Sequence, residues 1–254
     1  MSRHLASLSA AIVLALGASA AHAALVTGDI AFTSFNADED GFSFAALADI
    51  TAGTVIHFND NEWNGSAIGA GGAFNTGEGV MSWNSGASLI SAGTVIRVSA
   101  FDTGSSATAS VGSMFGAAGD NGISASAETI YAFLGSSATT PTTFLAAISN
   151  GSFGSNGSLT NTGLASGTNA IALTSGTDFA QYVGTRSGQA TFGAYRSLLA
   201  NNANWNNAGD GTFDNTVPNT TAFAVTPVPL PAAAWLLLSG MGGMFGFARR
   251  RRAA

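Results

Sequence analysis

Residues 25–58 read LVTGDIAFTSFNADEDGFSFAALADITAGTVIHF. Apolar side chains alternate with small or polar ones from Leu25 to Phe35, which puts Ile30 and Phe32 on one face. The polar run from Asn36 to Gly41 breaks the alternation, and Phe42-Ser43-Phe44 restarts it. Period-two patterning interrupted by Gly, Asn and Asp is the mark of strands joined by turns; a helix would repeat its apolar positions every three or four residues. The stretch closes on Ile50-Thr-Ala-Gly-Thr-Val-Ile56, which recurs 40 residues later as Ile90-Ser-Ala-Gly-Thr-Val-Ile96. In each copy a glycine turn feeds a strand. Ile56 and Phe58, or Ile96 and Val98, share one face, while the other carries Val with His57 or Arg97. Two copies are too few for a solenoid, so they read as duplicate turn-strand units of one domain.

Outward from this stretch, runs at 54–58, 94–98, 130–134 and 169–173 predict further short strands. So many short strands bounded by turn residues predict a mainly β fold, an antiparallel β-sandwich over residues 24–226. Ile30, Phe32, Phe44, Ile56, Phe58, Ile96 and Val98 are its expected core. Two short helices are expected. One starts at Thr140-Pro141 and carries Phe144, Leu145 and Ile148; the other carries Phe192, Tyr195, Leu198 and Leu199 and stops at Asn201 and Asn202. The segments Gly104 to Gly122 and Gly151 to Gly167 read as loops.

The charge pattern narrows the function classes. Charged residues make up 9% of the chain, far below the roughly 25% of ordinary soluble domains. All eight basic residues are arginines, and only Arg97, Arg186 and Arg196 lie in the body, against 14 acids: a net of about −11. Such a body repels nucleic acid and anionic lipid. With no cysteine, disulfides, thiolate metal sites and cysteine nucleophiles are excluded.

The two ends read differently from the body. In residues 1–23, Arg3 precedes an apolar run from Leu5 to Leu16 and the small-x-small site Ala21-His22-Ala23. That order predicts a signal helix removed by signal peptidase after Ala23, leaving Ala24 first, with the chain handed to the export machinery. In residues 227–254, Pro227, Val228, Pro229, Leu230 and Pro231 precede 17 uncharged residues, Ala232 to Ala248, and then Arg249, Arg250, Arg251 and Arg252. The apolar stretch is near the lower limit for a transmembrane helix, and Ser239, Gly242, Gly243 and Gly246 give it small-residue spacing for close helix contact. The arginines predict a cytoplasmic C-terminus with the body on the far side of the membrane.

The Val228-Pro229-Leu230-Pro231 motif, apolar helix and arginine cluster resemble the PEP-CTERM sorting signal of Gram-negative bacteria. Leu230 departs from that pattern, in which Glu is usual, and the Val-Pro-Leu-Pro-Ala-Ala-Ala-Trp form is similar to a subgroup of it. The resemblance implies transient residence in the inner membrane, recognition by an exosortase-type sorting enzyme, delivery to the cell surface or outside, and association with exopolysaccharide. The body has a resemblance of its own. GDIAFTSFNADEDGFSFAALADITAGTVIHFNDNEWNG and QYVGTRSGQATFGAYRSLLANNANWNN resemble secreted bacterial proteins with lamin-tail-like β-sandwich domains. That implies a fold and an extracellular setting, and no particular reaction or ligand.

Candidate chemistry in the body is sparse. Asn36-x-Asp38-x-Asp40-Gly41 matches the first half of an EF-hand loop, but the twelfth position, which needs a bidentate Glu, is Leu47. A hairpin turn is the plainer reading, with weak calcium binding at Asp38 and Asp40 the alternative. Asp60-Asn61-Glu62, Glu78, Asp210 and Asp214 are candidates for a carboxylate pair, which a glycosidase holds about 5–10 Å apart. His57 is the one histidine left after the signal, which excludes a histidine-rich zinc site, and no serine lies in a GxSxG elbow. Trp63-Asn64, Trp83-Asn84 and Trp205-Asn206 share a dipeptide: exposed, the indoles would stack on sugar rings; buried, they are core. The expectation is therefore a non-enzymatic, surface-sorted structural or matrix protein with no catalytic residues and no cofactor. The alternatives are a carbohydrate- or calcium-binding module and, third, a polysaccharide hydrolase.

Overall fold

The computed structural model of the chain describes residues 23–226. The signal segment up to His22 and the sorting segment 227–254, with Val228 to Pro231 and Arg249 to Arg252, lie outside the described residues. Among the described residues no helix is long and apolar enough to cross a membrane.

Twelve strands form in chain order: β1 Ile30–Asn36, β2 Gly41–Ala46, β3 Val55–Asn59, β4 Val80–Asn84, β5 Val95–Ser99, β6 Thr108–Ala109, β7 Ser113–Ala118, β8 Glu128–Ser137, β9 Thr140–Asn150, β10 Ala170–Ala172, β11 Phe179–Tyr182 and β12 Trp205–Asn207. They make two six-stranded sheets, ordered β12-β11-β1-β2-β5-β6 and β10-β9-β8-β3-β4-β7. All pairs are antiparallel except β10 on β9. The architecture is the expected mainly β, two-sheet arrangement, with one parallel edge pair.

The period-two faces meet between the sheets. Ile30, Phe32, Phe44, Ile56, Phe58, Ile96 and Val98 are all buried in one cluster. The Phe58 ring lies 6.4, 4.8 and 5.6 Å from those of Phe32, Phe42 and Phe44, so aromatic contacts from both sheets close the middle. A bulge at Thr33 steps the register from Phe32↔Phe44 to Ser34↔Ser43, and this brings Phe35 to the core side, opposite Phe42.

The repeated turn units exchange partners. Ile50 and Ile90 bond each other through both backbone amides, at 2.8 and 2.9 Å. Each unit turns on a glycine of positive φ, Gly53 at 74° and Gly93 at 94°, and in each a threonine hydroxyl (Thr54 or Thr94) donates back to the carbonyl three residues earlier, at 2.8 or 2.7 Å. The first unit carries the chain from β2 in one sheet to β3 in the other; the second carries it back from β4 to β5. Since β3 pairs with β4 and β5 with β2, each unit completes the sheet that the other unit leaves.

Two expectations are corrected. The segment Thr140 to Ile148 is not a helix but most of β9, in a hairpin with β8. Both strands are covered on both faces. Ile130, Ala132, Leu145 and Ile148 join the main core, while Tyr131, Phe133, Phe144 and Ala147 form a second cluster with Trp63, Leu164 and Ala170. Two-sided burial fills every position with apolar residues and erases the alternation that identifies a strand. The second correction is at Gly104 to Gly122, which contains β6 and β7; β7 is a largely exposed edge strand whose Met114 and Phe115 sit side by side without alternation. The expected second helix appears in shortened form, as a 3-10 turn at Phe192–Tyr195 running into the four-residue α1, Arg196–Leu199.

Ile56→Ala should lower unfolding free energy by about 2–5 kcal/mol, the range for a fully buried aliphatic truncated to Ala. The repeat offers a matched pair as well. Gly53→Ala has open space and carries only the backbone strain of positive φ, about 1–2 kcal/mol. Gly93→Ala should lose more, because its Cβ would collide with the carbonyl of Phe223. Urea unfolding followed by tryptophan fluorescence compares the three variants; equal losses at the two glycines would show that the Phe223 contact contributes nothing.

Candidate functional site

Antiparallel pairing gives the sandwich two unlike ends. At one, the crossover end, lie the repeated turns. At the other, β3 stops at Asn59 beside the start of β4 at Val80, β7 stops at Ala118 beside the same Val80, and β8 starts at Glu128 opposite Asn150. In the first sheet, Asn36 faces Gly41 and Phe179, and β5 ends at Ser99. Side chains tie the two sheets together here. The Ile123 amide donates to Asp40 Oδ1, and Asn150 Nδ2 donates to the Thr177 carbonyl at 2.8 Å.

This second end collects the acids. Of the 14 in the chain, Asp29 and Asp49 sit at the crossover end, where Asp29 is 3.8 Å from the Arg196 guanidinium and Asp49 accepts from the Ala92 amide at 2.8 Å. The other twelve lie at or beside the opposite end, on the segments that follow or precede the strand ends named above. Arg97 is the one arginine among them, and it is paired with Glu39.

Within this acidic end the carboxylates fall into two groups. The turn after β1 is a hairpin turn: Asn36 Oδ1 accepts from the Asp38 and Glu39 amides, both at 3.2 Å, and Asp40 takes the left-handed φ of 50° that Asp tolerates. Its three carboxylates serve separate segments, Asp38 Oδ2 accepting from Phe213 N at 2.6 Å, Asp40 from Ile123, and Glu39 from Arg97. Burial pushes Asp40 up to about 6 against the pull of that amide, with Asp102, Asp120 and Asp38 adding to the rise. Leu47, where an EF-hand would close, is in the core.

The inner group is deeper. Asp60 is 1% exposed. Its Oδ1 accepts from Gly79 N at 2.6 Å, and its Oδ2 is buried with no hydrogen-bond partner. Burial, then the charges of Glu128 and Glu78, push its carboxyl up to about 8, with the Gly79 amide opposing. Glu128 is also buried. It accepts from the Ser124 and Thr129 amides, both at 3.1 Å, and burial pushes it up to about 7, the charge of Glu78 adding to the rise. Glu78 is raised by burial and by Glu62 and Asp120, and its Oε2 has no partner. Among the described residues no three acidic or histidine side chains already stand at metal-ligand spacing.

The other sequence candidates are placed elsewhere. Trp63, Trp83 and Trp205 are 2%, 0% and 6% exposed. Trp83 and Trp205 donate Nε1 to the carbonyls of Val111 and Leu199, each at 2.7 Å, while Trp63 packs edge-on to Phe74 and Phe144. The indoles do not share an exposed face, so the sugar-stacking reading of these three residues is corrected: they are core. His57 lies on the outer face of β3. Its Nε2 donates to the Gly135 carbonyl (3.3 Å), its Nδ1 shares a hydrogen bond with the Ser82 hydroxyl (2.8 Å), and burial lowers its pKa, which favours the neutral ring. Asp210 and Asp214 flank Phe213, far along the chain from Asp60 and on the first-sheet side.

The sequence brought Asp60, Glu62 and Glu78 to notice as an acidic run but gave no sign of Glu128, Asp120 or Asn121. They join only through strand order, across separations of 40 residues or more, and no local motif encodes that. Chemically the inner group is a set of buried oxygen acceptors without a matching donor. That arrangement retains protons or takes up a hard cation; it is closed to a polymeric substrate. Two open depressions elsewhere, one around Ser166, Ser197, Asn201 and Asn202 and one around Ser126, Ser152, Ser155 and Asn156, are lined without a charged side chain or an aromatic ring. No family model, curated protein or solved structure matches the chain.

Because Asp60 and Glu128 bind protons more tightly folded than unfolded, the native state holds more protons between about pH 4 and pH 8. Stability should therefore be greatest near pH 4–5 and fall as pH rises through 7 and 8. Asp60→Asn should flatten that fall and raise the urea midpoint at pH 8. A wild-type midpoint that climbs from pH 5 to pH 8 would show these carboxyls ionised and well compensated.

Proposed function

We propose that this chain is an exported, surface-sorted β-sandwich that acts without catalysis, as a structural component of the extracellular matrix in contact with exopolysaccharide. The observation that favours this reading is the placement of the described C-terminal segment. Phe223 N donates to Gly93 O at 2.8 Å, Thr226 N donates to Gln189 O at 2.9 Å, and Arg186 caps the carbonyls of Asn219 and Thr221 with its guanidinium 4.7 Å from the Phe223 ring centre. These contacts hold Thr226 at the crossover end, away from the acidic end. A chain that leaves the sandwich there for a membrane-inserted tail would hold the acidic end away from the membrane.

Burial of the three tryptophans leaves the carbohydrate-module alternative without its stacking platform. That fact supports a structural role in preference to sugar binding. Intact-mass measurement on protein recovered from the cell surface tests the reading. The expected species begins at Ala24 and ends near Val228 to Pro231. A mature form that retains Arg249 to Arg252 would make the tail a permanent anchor and overturn the sorting proposal.

A further inference from the structure

We propose that the inner part of the acidic end is a calcium site, with Asp60 and Glu78 as charged ligands, Asn121 Oδ1 as a neutral one and Glu128 as the adjoining charge. The candidate does not depend on the export reading and is distinct from the Asp38–Asp40 turn.

Three side-chain oxygens on adjoining segments have no donor. Asp60 Oδ2, Glu78 Oε2 and Asn121 Oδ1 are all buried and unpartnered, and Asn121 is only 3% exposed. A buried acceptor without a donor is unfavourable by about 1–3 kcal/mol, more if charged, so three on touching segments call for a partner. They belong to chain segments in direct contact. Gly79 N holds Asp60 Oδ1. A Cβ on the same Gly79 would collide with Asn121 Oδ1 and lie 2.5 Å from the Asp120 carbonyl, and a Cβ on Gly119 would collide with the carbonyl of Glu78. Glycine at 79 and 119 is thus what lets the 78–79 and 119–121 strands of chain close over Asp60.

Among the described residues no arginine is bonded to this group. Arg97 is committed to Glu39, and Arg186 and Arg196 bond backbone carbonyls at the crossover end. The donors are carboxylate, amide and backbone oxygens with no nitrogen or sulfur ligand, which selects a hard ion. Their irregular arrangement suits calcium, which accepts 6–8 oxygens at 2.3–2.6 Å in flexible geometry, over magnesium, which demands an octahedron. Because no three carboxylates are already at ligand spacing, the ion must draw them together, and the affinity belongs in the range of extracellular modules, about 10⁻⁴–10⁻³ M.

The test is thermal unfolding of the full chain in detergent micelles at pH 8, freed of metal with EDTA and titrated with calcium chloride. The expected result is a saturable rise in Tm, roughly 3–6 °C at ten times Kd, larger than magnesium gives and absent with sodium chloride of equal ionic strength. Asp60→Asn removes a repelling charge and should fold at least as well as wild type without metal, yet lose the calcium response; Asn121→Ala should lose most of it, and Asp38→Asn should keep it. A rise that magnesium or salt reproduces would be general screening of the acidic end. A rise that survives Asp60→Asn and disappears in Asp38→Asn would place the ion in the 36–41 turn. Absence of any rise would mean that protons alone occupy the inner carboxyls. Each of these three outcomes overturns the assignment.

Discussion

The pair of backbone hydrogen bonds between Ile50 and Ile90 joins the two places where the chain leaves one sheet for the other. Both isoleucines are buried, so these amides have no access to water, and each is satisfied only by the other copy. From this junction β3 and β5 start in opposite sheets, and the faces carrying Ile56 and Phe58 or Ile96 and Val98 are turned toward each other. The turns that aim them depend on positive φ at Gly53 and Gly93. The aromatic centre around Phe58, the common alignment of the strand ends, and hence the gathering of acids at the far end all follow from that crossing.

Much of this was legible in the sequence. Strands with one face in the core and a weaker outer face keep their alternation, and β1, β2, β3 and β5 were read from it with the correct inward residues. The repeat announced the paired turns, though not that they exchange sheets, because partner choice is a long-range property. The reading failed where the alternation is absent for a physical reason. In β9, Phe144 and Ala147 face one apolar cluster while Leu145 and Ile148 face another, so the run Phe144 to Ile148 is apolar throughout and a helical stripe appears by coincidence. In β7 the apolar residues Met114 and Phe115 are adjacent and not alternating, and most of the strand is exposed, so pairing with β4 leaves no period-two mark. For the acidic end, the run at Asp60 to Glu62 was visible, whereas Glu128 reaches it from the start of β8 and Asn121 from the connection after β7, which become neighbours only in the folded sheet.

The acidic end also shows what a low charge density permits. With few charged side chains in the body, the position of each one shapes the whole field. Arg186 bonds to backbone carbonyls near the chain's exit, Arg196 lies beside Asp29, and Arg97 offsets Glu39, so the inner carboxylates Asp60 and Glu128 are met by backbone amides. Burial first, and then neighbouring carboxylates, raise the proton affinity of Asp60 and Glu128, and the backbone N–H groups that hold them oppose the rise without cancelling it.

The place of β1 within its sheet has a consequence for the timing of assembly. One side of β1 pairs with β2 a few residues later, but its other side pairs with β11, where Asn36 faces Phe179. A chain emerging from its N-terminus therefore carries β1 as an open sheet edge until residues 179–182 arrive. Such non-local closure makes folding slow relative to helical or hairpin proteins of the same size. Until it is complete the emerging chain remains extensible and can be threaded, and its unpaired edge is open to any strand, or any chaperone, that reaches it first.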